Sequence, residues 1–218
     1  MAAADAPASG TGPLYPVGLR LGGRPVLVVG GGTVAAQKIG ELVRCGADVT
    51  VVAPRIEPAL LADERLRCEV RPYRRGEAAD YRFVVTATDD PAVNQAVYDD
   101  GDAAGVWVNA ADDPARCSVT LPSRVRRGSL LVTISTEGRS PAFATWLREE
   151  VEALLGPEHE VLLDLLAEER DRIRAEGRTS EGLDWRGAIR SGMLDEIRAG
   201  RITAAKELLK ACLSSPSA

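Results

Sequence analysis

Residues 26–35 read Val26-Leu-Val-Val-Gly-Gly-Gly-Thr-Val-Ala35: a short apolar run, the pattern G-x-G-x-x-A, and the opening of an amphipathic stretch over 34–45. The apolar run has the length and β-branched content of a buried strand, and the stretch after it repeats its apolar residues at helical spacing. Gly30, Gly31 and Gly32 fall at the turn between them. Glycine permits a sharp reversal and a close approach of an anion to the backbone, while free N–H groups and the positive dipole at the helix start attract that anion. The alternative is a purely structural turn. The strand-turn-helix-strand context and its length favour nucleotide binding. Gly46 stands where a helix C-cap belongs.

Outward from this unit the same alternation continues. Further strands are expected at 49–52, 66–70, 83–86 and 106–109, with a helix at 91–100. Repeated βαβ units imply an α/β fold with a Rossmann-type, doubly wound parallel sheet. After Asp113-Pro114 the texture changes. Two β-like runs, 117–121 and 130–135, joined by the basic turn Ser123-Arg-Val-Arg-Arg-Gly128, predict an antiparallel hairpin outside the parallel sheet. From Ser140-Pro141 onward the pattern is helical, with segments ending near 155 and 175 and shorter ones at 184–191, 193–199 and 203–213. Residues 1–13, mostly Ala, Gly, Pro, Ser and Thr, read as a flexible leader.

Composition bounds the function. The chain has 218 residues, 45% of them hydrophobic, so a sizeable core is available. Against 27 basic side chains stand 32 acidic ones, for a net charge of -5, which argues against nucleic acid as the main partner. No apolar run is long enough for a membrane span and the start lacks a signal pattern, so a cytoplasmic protein is expected. Cys45, Cys68, Cys117 and Cys212 form no C-x-x-C, so neither a zinc knuckle nor a dithiol motif is written, and no resident metal is expected. His159 is the only histidine, and a Ser-His-Asp hydrolase would have to use it as base.

Three further features carry chemistry. The second strand ends in Val52-Ala-Pro-Arg55, without the acid that receives a ribose 2′-hydroxyl in ordinary NAD sites. Arg55 either meets a 2′-phosphate or is a solvated loop residue. Thr86-Ala-Thr-Asp-Asp90 and Asn109-Ala-Ala-Asp-Asp-Pro114 follow the fourth and fifth strands, at the edge where open α/β sheets place ligands. Asp89 or Asp90, ahead of Pro91, reads as a helix N-cap. Asp112 and Asp113 are the candidates for accepting the proton that must leave when a hydride departs. Finally, Arg116, Arg124, Arg126, Arg127, Arg139 and Arg148 cluster around one acid, Glu137. That bias is either a solvated face or a site for an acidic substrate.

Taken in order, Val28-Val-Gly-Gly-Gly-Thr-Val-Ala-Ala-Gln-Lys38, Val51-Val-Ala-Pro54, Thr86-Ala-Thr-Asp-Asp90, Val93-Asn-Gln95, Asn109-Ala-Ala-Asp112, Cys117-Ser118 and Ile134-Ser-Thr-Glu-Gly-Arg-Ser-Pro141 resemble the precorrin-2 dehydrogenase family, also met as the N-terminal part of siroheme synthase. The resemblance runs from about residue 15 to 155. It implies that NAD oxidises precorrin-2 to sirohydrochlorin on the way to siroheme. Some members also act as ferrochelatases, with Fe²⁺ or Co²⁺ as substrate, and this second activity remains an option at the same site. The family's essential aspartate falls on Asp112. Its nucleotide contacts fall on Gly30, Gly31, Gly32, Thr33, Val34, Pro54 and Arg55, with Thr86, Thr88 and Asn109 expected beside them. The tetrapyrrole carboxylates are expected at Arg116, Ser118, Arg139 and Ser140.

The resemblance also implies a homodimer interlocked through 114–147, so the expected domains are 14–113 for the nucleotide, 114–147 for dimerisation and 148–218 as a helical C-terminal domain. Thr136 matches a serine linked to phosphorylation in some relatives, and Val119-Thr120 replaces an aromatic common in the hairpin. No methyltransferase module follows, so a complete siroheme synthase is not expected. A rival from another class is a nucleotide-sensing regulatory module without catalysis; Asp112 and the arginine bias speak against it. A short-chain dehydrogenase would need Tyr-x-x-x-Lys, which none of the four tyrosines supplies.

Overall fold

A computed structural model describes residues 13–111 and 113–214. The expected leader, apart from Pro13, and the expected base Asp112 lie outside the described residues. Contacts divide the chain into two compact units, Met1–Leu121 and Pro122–Ala218.

In the first unit, β1 (Pro25–Val29), β2 (Asp48–Ala53), β3 (Leu66–Val70), β4 (Phe83–Thr86) and β5 (Trp107–Ala110) form one parallel sheet of order β3-β2-β1-β4-β5. Val29 lies level with Val52 on one side and Thr86 on the other, so β1, β2 and β4 end together at their carboxyl edge. Alternation along β1 explains why both faces are covered. Val26 and Val28 join Val49, Val51, Phe83 and Val85 against Ala35, Ile39 and Leu42 of α1 (Thr33–Arg44). Leu27 and Val29 join Val52, Val84 and Val108 against Ala78 and against Val97 of α3 (Pro91–Ala104). Burying each aliphatic side chain of this size contributes about 1.5–3 kcal/mol.

The local signals account for the helix limits. Asp90, with Pro91 after it, caps α3 by accepting from the Ala92 and Val93 N–H groups. The helix runs past the expected residue 100 because Gly101 packs directly on Val108, and it stops at Gly105, whose φ is 67°. Gly46, with φ 73°, lies one place beyond the Cys45 cap of α1. A short helix α2 (Pro58–Leu61) follows β2.

The second unit opens with an antiparallel hairpin of β6 (Ser123–Arg127) and β7 (Leu130–Ile134), against which α4 (Pro141–Leu154) packs. The hairpin is present, but its first strand is the stretch read from sequence as a basic turn. Within it Val125 is buried and pairs with Val132, while the turn contracts to Gly128-Ser129. The expected strand at 117–121 instead folds back along β5: the Ser118 and Val119 N–H groups donate to the Val108 carbonyl. Helices α5 (Glu158–Ala175), α6 (Trp185–Arg190), α7 (Met193–Arg198) and α8 (Ile202–Ser214) close around Leu165, Ile173, Met193 and Leu209. Among the described residues no helix is long and apolar enough to cross a membrane.

Candidate dinucleotide site

A cleft of about 860 Å³ opens at the carboxyl edge of β1, β2 and β4. It lies where the strand order reverses, between β1 and β4, the place at which open α/β sheets bind ligands. Its walls include Gly30, Gly31, Gly32, Thr33 and Val34 from the turn into α1, Pro54, Arg55 and Glu57 from the loop after β2, and Thr88 to Asp90 after β4.

The three glycines have different reasons to be glycine. Gly30 has φ 130°, and a Cβ there would lie 2.2 Å from the Ala87 carbonyl oxygen. A Cβ at Gly31 would lie 2.3 Å from the Arg55 carbonyl oxygen. At Gly32 nothing lies within 4 Å of that position, and the residue is the N-cap of α1 without a side-chain cap. Two glycines therefore admit neighbouring backbone, and the third leaves open space at a helix start. That combination fits a pyrophosphate.

Of the other residues expected at the nucleotide, Pro54 and Arg55 are exposed in the cleft and Thr88 lines it. Thr86 does not. It is 1% exposed and donates its hydroxyl to Asn94 Oδ1, because the side chain at the last position of β4 points into the packing below the loop. Asn109 is also buried, and its amide donates to the Val119 carbonyl at 3.0 Å, tying β5 to the segment that folds back along it. Asn94 was not singled out as a site residue. Its amide accepts from Thr88 Oγ1 at 2.9 Å and donates to the Thr88 carbonyl at 2.9 Å, bracing the loop that lines the cleft. Glu57 is the second residue that went unnoticed: it accepts from Thr33 Oγ1 at 2.9 Å.

The residues expected at the substrate are divided between the units. In the first, Arg116 forms an ion pair with Asp113 and donates from Nε to Gln95 Oε1 at 2.7 Å. Ser118 Oγ accepts from the Val108 N–H at 2.8 Å, so the hydroxyl closes the edge of β5. In the second, Arg139 is exposed, and Ser140 caps α4 by accepting from the Phe143 N–H at 3.2 Å. Thr136 Oγ1 accepts from the Ser140 N–H at 3.2 Å within the same loop. Beside β5, burial pushes the Cys117 thiol above its usual range, so this residue is a packed thiol that accepts from the Ala110 N–H. Among the described residues no group of three or more His, Cys, Asp and Glu side chains is placed to hold a metal ion.

Residues 17–123 match a family described as putative NAD(P)-binding, and residues 127–154 match the central region of sirohaem biosynthesis proteins. The chain is 33% identical over 204 residues to a siroheme synthase of Methylobacillus flagellatus, an alignment covering 91% of this chain and 44% of that protein. It is 38% identical over 206 residues to siroheme synthase 1 of Cronobacter sakazakii, covering 92% of this chain and 44% of the relative. It thus spans less than half the length of these curated relatives. The solved structure of SirC, a precorrin-2 dehydrogenase, superposes with a TM-score of 0.69 at 27% identity, covering 93% of this chain and 100% of SirC. Across these matches, with the NAD(P)-binding part first and the sirohaem central part after it, this chain is similar to the precorrin-2 dehydrogenase and siroheme synthase family.

Proposed function

We propose that this chain oxidises precorrin-2 to sirohydrochlorin, with NAD as the acceptor. The observation that carries the reading is the cleft at Gly32, open at a helix start and at the strand-order reversal, in a chain that matches SirC over its full length. NAD, when bound, accepts the hydride. The chain supplies the rest. The first turn of α1 offers backbone N–H groups to the pyrophosphate, and the Asn94-braced loop carrying Thr88 walls the cleft above β4. Removing a hydride from the macrocycle leaves a proton to be taken up, and a carboxylate is suited to receive it. We assign that role to Asp112, which follows Ala111 at the carboxyl end of β5. Arg139 is the exposed cation we assign to a substrate carboxylate, with Ser140 beside it, whereas Arg116 and Ser118 hold the β5 edge through Asp113, Gln95 and Val108.

We extend the reading to a cytoplasmic homodimer joined through the hairpin and α4. In its support, Leu131, Phe143 and Trp146 are exposed apolar side chains on those elements, and a two-stranded hairpin is marginal alone. Fe²⁺ or Co²⁺ enters the reading only as a substrate.

An anaerobic assay tests the oxidation and the metal step: precorrin-2 with NAD or NADP, then metal, followed by the tetrapyrrole spectrum. Oxidation with NAD supports the dehydrogenase, and metal insertion faster than in a protein-free control adds the chelatase. Nucleotide binding without oxidation would replace the enzyme by a sensor.

A further inference from the structure

We propose that Glu57 selects the dinucleotide, receiving the ribose hydroxyls of its adenosine half and excluding a 2′-phosphate. This deepens the cofactor reading above and rests on it. In doubly wound sheets an acid at the end of the second strand performs this task. Here β2 ends at Ala53, followed by Pro54 and Arg55, so the usual position is empty of acid.

The loop does not run away from the cleft. The Glu57 N–H donates to the Gly31 carbonyl at 2.9 Å, and the Arg55 carbonyl and Ile56 Cα press on Gly31 so closely that no Cβ fits. That fold-back lays 55–57 across the glycine turn and carries an acid back to the cleft four residues late. Its carboxylate is held there by the Thr33 hydroxyl at the first position of α1. A carboxylate so placed lies at the seam between the β2 loop and the helix start, where the ribose adjoining a pyrophosphate on α1 would come. It accepts hydroxyl hydrogens and repels a phosphate. Arg55, exposed on the same wall, has the opposite preference.

Calorimetric titration of the purified full chain with NAD and with NADP tests the assignment, using wild type, Glu57→Gln and Arg55→Met. Glutamine keeps an oxygen for Thr33, so the substitution removes charge and leaves the loop on Gly31. The expected result is a wild-type preference for NAD, reduced by roughly tenfold or more in Glu57→Gln, through weaker NAD and stronger NADP binding. Equal weakening of both nucleotides would make Glu57 a mere strut for Thr33 and overturn the proposal. So would a preference that follows Arg55→Met and ignores Glu57→Gln. Failure of wild type to bind either nucleotide would overturn the cofactor reading itself, and this assignment with it.

Discussion

Gly101, in the last turn of α3, lies against Val108 of β5 so closely that a Cβ on the glycine would fall 2.3 Å from Val108 Cγ2. Val108, on the edge strand β5, is fully buried beneath α3 and packed with Val84 and Val97. Alanine at a helix interior ordinarily stabilises by about 1 kcal/mol relative to glycine. Here the contact reverses the sign, and Gly101→Ala is expected to destabilise by about 1–3 kcal/mol in urea unfolding. A stabilised variant would show that α3 can shift away from the sheet.

The glycine turn separates a structural from a binding requirement. Gly31→Ala drives a methyl group into the Arg55 carbonyl and should lower the melting temperature with or without ligand. Gly32→Asp meets open space, so the fold should melt as wild type does. Its carboxylate would face the pyrophosphate, and NAD affinity should fall at least about tenfold. Unchanged affinity in Gly32→Asp would place the nucleotide elsewhere.

The sheet was legible because its strands are short apolar runs separated by glycine and proline, and periodicity suffices to find them. The hairpin register was not. Ser123-Arg-Val-Arg-Arg127 carries one apolar residue among charges and looks like a loop, yet pairing with β7 needs only Val125 turned inward. Conversely, the run from Cys117 looks like a strand, and its backbone donors go to the Val108 carbonyl of a neighbour already in the sheet. Glu57 escaped notice for a related reason: an acid is sought at the strand end, and only the bond from its N–H to the Gly31 carbonyl brings a later one back. Thr86, Asn109 and Ser118 stand on or beside β4 and β5, but sequence does not say which way a polar side chain turns, and these turn toward backbone or amide partners.

Acid sensitivity of the second unit is expected to reside partly in Glu169. Arg172 donates to it from Nε at 2.9 Å and Nη2 at 2.6 Å, holding the carboxyl below its ordinary 4.5 against the opposing effect of burial. A lowered folded value means that unfolding takes up protons as pH falls. The stabilisation is complete above the unfolded value near 4.5 and is lost as pH drops through the folded value. Glu169→Gln should therefore be less stable than wild type at pH 7, with the gap closing below pH about 4. A gap independent of pH would assign the loss to packing.

Dimerisation through the hairpin and α4 predicts a specific lesion. Phe143 and Trp146 are each 51% exposed and form a tilted ring pair 5.4 Å apart, a surface suited to burial against a second copy. Trp146→Arg should convert a dimer into monomers in sedimentation velocity while leaving the circular dichroism spectrum unchanged. A wild-type monomer at micromolar concentration would remove this interface.

Asp112 is the most exacting assignment, because it separates chemistry from binding. Asparagine has nearly the same shape but no useful basicity. Asp112→Asn should therefore lower the rate of precorrin-2 oxidation by about 10²–10⁴-fold, while the dissociation constant for NAD changes less than about twofold. The pH profile sharpens the test. Wild-type kcat/KM should fall at low pH as the carboxylate protonates, and the residual activity of the variant should lack that limb. Retained activity with the acid limb intact would move the proton acceptor to another group, and Asp113 would be tested next: its carboxylate already carries the Arg116 ion pair, so freeing it in Arg116→Met should then raise the variant's rate.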